Sequence, residues 1–393
     1  MLPGTDLVLS ETRLHAKPLL TELCLSMWFY LWATAKRKYR AVVIGHTGRG
    51  NYGHGWEMSW AQLPQVQVAA VADPDEAVGR KTQERCRAQK YYRDYREMIT
   101  REKPDIVTIG PRWCDQRFDM IKAATDAGAH ILVEKPLAQS LEEADRMVAM
   151  IEAKGLKCAV GHPARALSVT SRVREMLAEG KFGTLQEMRG RGKEDRRAGG
   201  EDMIVLGTHV FDLMRYYAGD PQWVSAHVTQ GAAELGREMM RPASEPVGRV
   251  GGDQIAAMFL FPNGVHGYFG SKPSEMMSGR RFGLTLAGSK ALGFVPLNAV
   301  PSDEPWIMPS AGWVPEGGQA WERVNYAGGG KPKTRELTNH LVALDLLEAI
   351  ETGRQPVCSA RDGRWTIEMV AGIYQSQLAG GARVSFPLQN RLY

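Results

Sequence analysis

The chain has 393 residues, about two and a half times a usual single domain, which predicts two domains. Apolar residues make up 44% and charged residues 24%, and these values exclude a disordered or fibrous chain. The 49 Lys and Arg against 44 Asp and Glu leave a charge of +5, too small and too evenly spread to indicate a nucleic-acid partner. The five cysteines form no C-x-x-C pair, so we expect reduced thiols, with neither a disulfide framework nor a structural zinc site.

Residues 1–38 differ from the rest of the chain. The segment 19–35 is apolar, is interrupted by Glu22 and is followed by a Lys-Arg-Lys cluster. Parts of this pattern are compatible with an export signal. The interruption and the position of the basic cluster favour a loosely packed terminal helix, or a start at Met27. We expect a cytoplasmic protein without stable membrane insertion, with export as the alternative.

A strand is predicted at residues 41–44, where the chain is apolar and rich in β-branched side chains. A glycine-rich turn, residues 45–53, follows at once. Glycines at a strand-to-helix turn let the backbone approach a pyrophosphate, whose charge then meets the N–H groups of the following helix. Strict G-x-G-x-x-G spacing fits from Gly48, but we prefer the register from Gly45, because the tight turn must follow the strand directly. The predicted cofactor-binding residues of this turn are Gly45, Thr47, Gly48, Arg49, Gly50 and Asn51.

The second strand is predicted at residues 66–72 and ends at Asp73. A carboxylate at this place can accept hydrogen bonds from the hydroxyls of an adenosine ribose and would repel a 2′-phosphate. The sequence therefore favours NAD over NADP. The alternative is that the Asp73-Pro74-Asp75 segment only caps the next helix.

Alternating strands and helices indicate a Rossmann-type domain over residues 39–160. Its other predicted elements are a helix within 82–100, a strand at 105–110, a helix at about 115–127 and a strand at 129–133. Pro111 and Glu134 follow two of these strands, at the sheet edge where ligands bind, and Trp113, Cys114 and Arg117 could line a nicotinamide pocket. His46 and His54 flank the glycine turn without a carboxylate at ligand spacing, so no metal site is expected.

Residues 161–393 are predicted to form an α+β domain with an open, mostly antiparallel sheet. Alternating segments at 254–261 and 265–269 are typical of its strands. We expect a helix near 337–352, with an apolar stripe at Leu337, Leu341, Leu344 and Leu347. The stretches 234–252 and 301–333 are rich in Gly, Pro and Ser and are interpreted as long loops.

Several motifs occur together in a characteristic order. They are the Gly45 turn, Asp73, the segment AGAHILVEKP ending in Glu134-Lys135-Pro136, the pattern Gly207-x-His209-x-x-Asp212, and a closing segment TGRQPVCSARDG…SFPL. From Arg40 to the end the chain resembles the Gfo/Idh/MocA oxidoreductase family. The resemblance implies NAD as cofactor, a sugar-like small-molecule substrate and a dimer or tetramer formed through the second sheet. It also implies that Lys135 contacts both cofactor and substrate, that Arg165 supports the active site and binds substrate, and that His209 is catalytic.

One position departs from the family pattern. Relatives carry D-x-x-x-H on one helix, which places both side chains on the same face, but the residue four before His209 is Val205. What replaces the aspartate stays open; local candidates are Glu201, Asp202 and the charged loop with Lys193, Glu194 and Asp195. Among these, we predict that Lys193 binds substrate. Asp212 is predicted to orient the imidazole or bind substrate, with an ion pair to Arg165 or Arg215 as the alternative.

Three functions compete. The first is an NAD-dependent dehydrogenase or reductase that moves a hydride between the nicotinamide and a sugar or cyclitol carbon. The second uses tightly held NAD to oxidise a sugar transiently, eliminate a glycosidic substituent and restore the hydroxyl. The third is a non-catalytic NAD-binding regulator. Lys135 and His209 are the predicted catalytic residues of the first.

Overall fold

Six parallel strands form the first sheet of the computed structural model, which describes residues 38–273, 281–297, 304–325 and 335–392. The strand order is β3-β2-β1-β4-β5-β6. The strands are β1 (Tyr39–Ile44), β2 (Val66–Ala72), β3 (Lys90–Tyr92), β4 (Ile106–Ile109), β5 (His130–Val133) and β6 (Cys158–Val160). This arrangement confirms the predicted Rossmann-type sheet. The predictions for residues 1–37 and for the side chain of Leu337 lie outside the described part of the chain.

The helices of this region are α1 (Glu76–Arg85), α2 (Tyr95–Glu102), α3 (Arg117–Asp126) and α4 (Leu141–Ala153). The single helix predicted within 82–100 is wrong, because strand β3 separates α1 from α2. Two aspartates define the helix starts: Asp75 accepts a hydrogen bond from the main-chain N of Val78, and Asp94 caps α2 in the same manner. Asp75, and not Asp73, is therefore the cap of α1.

No α-helix follows the glycine turn between β1 and β2, so the predicted strand–turn–helix unit is wrong at its last element. The turn and the residues after it hold positive φ angles at Gly48, Gly50, Asn51, Gly53 and Gly55. An α-helix requires negative φ at every position, so the chain makes successive turns and only a short 3₁₀ turn at Trp56–Met58.

The second sheet has ten strands and is antiparallel except where β7 pairs with β13. Its core strands are β7 (Leu185–Arg191), β8 (Trp223–Gln230), β12 (Gln254–Leu260), β13 (His266–Ser271), β14 (Gly283–Gly288) and β15 (Leu292–Pro296). Short edge strands are β9 (Ala233–Glu234), β16 (Trp306–Met308), β17 (Glu322–Arg323) and β18 (Val384–Ser385), while β10 (Arg241–Pro242) and β11 (Arg249–Val250) pair separately. Helices α5 (Ser168–Ala178) and α6 (Thr208–Ala218) belong to this region. The predicted fold class is confirmed.

The last two helices are α7 (Arg335–Thr352), which packs on the parallel sheet, and α8 (Ala360–Leu378), which contacts elements of both regions. Helix α7 packs on the parallel sheet, where Leu346 and Leu347 are buried with Val43 and Trp56. It covers the sheet beside the place where the helix after the glycine turn was expected. Helix α8 contacts both β8 and α4. Burial of these apolar faces holds the ends of the parallel strands against the second sheet.

Among the described residues, no helix combines the length and the apolar character that crossing a membrane requires.

Candidate active site

The carboxylate of Asp73 lies at the end of β2, beside the glycine turn. It accepts hydrogen bonds from the main-chain N and the hydroxyl of Thr47, at 3.2 and 3.1 Å, and from the main-chain N of Asp75 at 3.0 Å. A carboxylate can accept about four such bonds, so capacity remains for a ribose hydroxyl. A cavity of about 160 Å³ opens at this place, and its walls include Gly45, Asp73 and Tyr95.

The main-chain N–H groups of the glycine turn are mostly used inside the turn. His46 and Asn51 donate to each other's carbonyl oxygens at 3.0 Å, and Arg49 donates to that of His46 at 3.0 Å. The N–H of Gly48 donates to Oδ1 of Asn51 at 3.2 Å. No α-helix N-terminus stands at this turn to supply such N–H groups, and cofactor binding by the residues of the turn stays a prediction. The turn presents a cation instead, the half-exposed guanidinium of Arg49, which pairs with Asp115.

The segment after β4 packs against the glycine turn and begins at Pro111. At Gly50, where φ is 84°, a β-carbon would lie 2.5 Å from a main-chain nitrogen of this segment, so only glycine fits. Arg117 is fully buried and donates to the carbonyl oxygens of Pro111, Glu134 and Pro136. Arg117 therefore holds the ends of two strands together. The expectation that it lines an open pocket is wrong, because its side chain is fully buried. Cys114, also fully buried, is equally part of this packing.

Glu134 and Lys135 follow β5 and are both buried. The Glu134 carboxylate accepts hydrogen bonds from Nδ1 of His54 at 2.6 Å and Nε1 of Trp56 at 2.7 Å. Burial alone would raise the pKa of Glu134, but His54, Lys135 and these bonds lower it to about 2. Burial also lowers the pKa of Lys135 from 10.5, with Glu134 opposing this effect. The carboxylate of Glu134, which keeps its charge, thus lies beside a lysine that loses its proton more readily than usual.

The Nζ atom of Lys135 donates to the carbonyl oxygen of Val205 at 2.7 Å. That carbonyl lies in a π-helical segment, Met203–Gly207, directly before α6. A π-helical turn changes the i→i+4 pairing of an α-helix and is common at functional sites. Val205, which occupies the place of the family aspartate, thus contacts Lys135 through its main-chain carbonyl. Because Val205 lies in the π-helical segment, the D-x-x-x-H spacing does not place residues 205 and 209 on one face of a regular α-helix.

Two imidazoles belong to the same region, and they contact each other. His209, the second residue of α6, is half-buried, and its ring meets that of His162 edge-on, with centroids 5.0 Å apart. His162 follows β6 and is 1% exposed. Burial lowers the pKa of His162 to about 4 although Asp212 opposes this, and the charge of Lys135 contributes to the lowering. Sequence reasoning missed His162, whose only signal was its place at the carboxyl end of a parallel strand.

Arg165 and Asp212 satisfy each other's charge. Nε of Arg165 lies 2.8 Å from Oδ2 of Asp212, and Nη1 lies 3.2 Å from Oδ1 of Asp362. Arg215 also pairs with Asp362, at 2.9 Å. Since Arg165 is 6% and Asp212 1% exposed, this geometry favours the structural ion pair over direct substrate binding for both residues.

A buried group of possible metal ligands adjoins this ion pair. One ligand atom each of His162, Asp212 and Cys358 lie within 4.8 Å of one another. Two facts oppose a cation at this place: the Arg165 guanidinium already neutralises Asp212, and burial raises the pKa of the Cys358 thiol well above its usual value. The group is better described as a hydrogen-bonded cluster, with Sγ of Cys358 3.5 Å from Nδ1 of His162.

The charged loop after β7 is folded onto the start of the Gly200–Asp202 turn. Asp202, fully buried, accepts hydrogen bonds from the main-chain N of Lys193 and Glu194 and from the hydroxyl of Ser271. Glu201 bonds to Ser244. Both acids therefore hold loops in place. The side chain of Lys193 is 36% exposed, with Nζ 3.7 Å from Asp195, so it is accessible to a ligand.

Comparison with known proteins identifies the chain's relatives. Residues 39–162 match the model of an oxidoreductase family with an NAD-binding Rossmann fold, and residues 170–291 match the Gfo/Idh/MocA C-terminal domain. The chain belongs to the Gfo/Idh/MocA family. The resemblance drawn from the sequence motifs, including its NAD-binding Rossmann fold, is thereby confirmed.

Three family members give the degree of similarity. The chain is 24% identical over 261 residues to levoglucosan dehydrogenase of Pseudarthrobacter phenanthrenivorans, covering 57% of this chain and 65% of that protein. It is 28% identical over 182 residues to a glycosyl hydrolase family 109 protein of Shewanella, covering 41% and 39%. The solved levoglucosan dehydrogenase complex with NADH and levoglucosan has the same fold, with a TM-score of 0.71 at 20% identity over 89% of this chain and 100% of that one.

The aligned part of the chain covers 58–65% of the length of three curated relatives, less than two thirds.

Proposed function

We propose that the protein is an NAD-dependent oxidoreductase that transfers a hydride between the nicotinamide and a hydroxyl-bearing carbon of a sugar or cyclitol. The observation that carries the proposal is Lys135. It is buried at the carboxyl end of β5, its pKa is lowered, and its Nζ donates to the carbonyl oxygen of Val205, four residues before His209. A neutral amine in this setting accepts the proton of a substrate hydroxyl, and its protonated form returns it in the reverse direction.

The residues around the parallel sheet fit NAD at two places. Asp73 lines the small cavity at the end of β2, where it would bind the ribose, and the Glu134–Lys135 pair would lie by the nicotinamide. Arg49 would offset the charge of the pyrophosphate. NAD, when bound, accepts or gives the hydride. The protein positions the substrate carbon, excludes water and moves the hydroxyl proton.

Replacing Asp73 with serine should raise KM for NAD roughly 10- to 100-fold, because a charge-assisted hydrogen bond to the ribose is lost. The same change should reduce discrimination against NADP, since the carboxylate no longer repels a 2′-phosphate. Steady-state kinetics with both cofactors measure these effects. Asp75→Ser is the matched control, because serine still caps α1 and KM for NAD should stay unchanged. An equal loss in both variants would contradict ribose binding by Asp73.

The rate of substrate oxidation should depend on pH through Lys135. The base form is the neutral amine, so kcat/KM for oxidation rises with pH through the Lys135 pKa and then levels. Because burial lowers that pKa, the midpoint of the rise should lie below 10.5. For the reduction reaction the protonated amine is the active form, so kcat/KM should fall as the pH rises through the Lys135 pKa. Activity profiles between pH 6 and 10, for the wild type and Lys135→Arg, test this point; an oxidation rate independent of pH excludes the lysine as base.

Glycoside cleavage with no net redox is the second candidate, and the similarity to a glycosyl hydrolase family 109 protein favours testing it. The experiment is a panel of sugars, cyclitols and aryl glycosides incubated with NAD or NADP, followed by absorbance and mass spectrometry. Net oxidation accumulates NADH and a product two hydrogens lighter. Release of the aglycone without NADH accumulation supports the second candidate and contradicts the first.

Self-association through the second sheet is part of the proposal. One face of β8, β12 and β13 packs on the core, while the opposite face carries His227, Ala256 and Tyr268 at the surface beside grooves of about 800 and 710 Å³. Light scattering during size-exclusion chromatography measures the state; a dimer or tetramer supports the proposal and a monomer contradicts it.

A further inference from the structure

The imidazole of His162 has two chemically different ends. Its Nδ1 faces Sγ of Cys358 at 3.5 Å and Oδ1 of Asp212 at 4.0 Å. Its Nε2, at the opposite end of the ring, is buried, and no polar atom of the described residues lies within hydrogen-bond distance of it. Buried polar atoms almost always have a partner. An unpartnered nitrogen of this kind therefore has the capacity for one hydrogen bond with a bound molecule.

The groups around Nδ1 favour one of the two neutral tautomers of His162. The Asp212 carboxylate pairs with Arg165 and accepts a hydrogen bond from the Cys358 thiol at 3.6 Å, so Sγ of Cys358 is left to accept one from Nδ1. This favours the proton on Nδ1, directed toward Asp212 and Cys358. Nε2 then carries a lone pair and is an acceptor. Burial and the charges of Lys135 and Arg165 lower the pKa of the ring to about 4, against the opposing charges of Asp212 and Glu134, so the imidazole is neutral at physiological pH.

The location of His162 connects it to the proposed chemistry. β6 is paired directly with β5, so His162 and Lys135 follow neighbouring parallel strands at the same sheet edge. The ring of His162 also meets that of His209. The only polar acceptor of Val205 is its main-chain carbonyl oxygen, which already accepts a hydrogen bond from Lys135.

We propose that His162 is a substrate-binding residue, whose Nε2 accepts a hydrogen bond from a hydroxyl group of the polyol held beside Lys135. The inference rests on the proposed oxidoreductase function and names the acceptor that helps to select a hydroxyl-bearing substrate. Asp212 and Cys358 are positioning residues in this scheme, because they act on the substrate only through the orientation and tautomer of the imidazole.

Two conservative variants separate the ends of the ring. In His162→Asn the amide replaces Nδ1 and keeps a donor toward Asp212, but nothing remains at the position of Nε2. In His162→Gln an amide oxygen can take the place of Nε2. We expect His162→Asn to lower kcat/KM for polyol oxidation roughly 10- to 100-fold, with the loss mainly in KM, and His162→Gln to recover a large part of it. NADH binding, followed by its fluorescence, should match the wild type in both variants.

A spectroscopic measurement tests the same inference without turnover. In protein labelled with ¹⁵N-histidine, the resonances of His162 are those that disappear in His162→Asn. We expect the neutral Nδ1–H tautomer from pH 5.5 to 8, and a shift of the Nε2 resonance when levoglucosan is added to the NADH complex. A proton on Nε2, or a His162→Asn variant as active as the wild type, would overturn the inference. A wild-type protein that binds no NADH or oxidises no polyol would instead contradict the proposed function.

Discussion

Replacing Lys135 with methionine should lower kcat/KM for polyol oxidation by roughly 10³-fold, within the range that general acid–base groups contribute. Methionine has a similar length and tolerates the buried position, but it neither accepts a proton nor donates to the Val205 carbonyl. The change removes the proton-transferring amine but leaves the main chain at the end of β5 in place. The affinity for NADH should therefore change only a few-fold. Stopped-flow measurement of NADH formation, together with NADH titration by fluorescence, gives both quantities.

Lys122→Met is the matched control for this substitution. Lys122 lies on α3, its side chain is 53% exposed, and it pairs with Asp126 at the surface. Its variant should keep the wild-type rate. A Lys135→Met protein with undiminished turnover would refute the catalytic role. Retention of the biological role by an inactive Lys135→Met protein that binds NAD would favour the non-catalytic regulator.

Replacing Arg165 with methionine should reduce the free energy of unfolding by about 3–5 kcal/mol, the usual effect of removing one partner from a buried ion pair. Asp212, 1% exposed, would lose the hydrogen bonds that the guanidinium donates to its carboxylate and its main-chain carbonyl, and Asp362 would keep Arg215 as its ion-pair partner. The network joins the segment after β6, helix α6 and the start of α8, so its loss loosens both sides of the site. Urea unfolding followed by fluorescence measures the change.

Arg172→Met serves as the control for stability. Arg172 lies on α5 at the surface, where it pairs with Glu175 and Glu179, and exposed pairs contribute little. Its urea midpoint should equal that of the wild type. If the Arg165 variant unfolds at the wild-type midpoint yet loses polyol binding, Arg165 contacts the substrate after all, as the sequence first suggested.

The sequence by itself was sufficient for the family, the parallel sheet and the residues at its edge. A buried parallel strand is a short apolar run, and the residue that follows it must lie at the carboxyl edge where ligands bind. Asp73, Pro111, Glu134 and Lys135 are all of this kind. Their positions follow from the local hydrophobic pattern and from the order of the strands along the chain, and both can be read from the sequence.

Only the tertiary structure decided what the residues between these strands do. The glycine turn has no following helix because five positive φ angles occur within eight residues, and helix α7, almost 300 residues later, packs on the sheet there. His162, Asp212 and Cys358 come from three distant segments and meet because α6 and α8 pack against the end of β6. Spacing in the chain carries no information about such contacts, since long-range packing and the pairing of buried charges fix them.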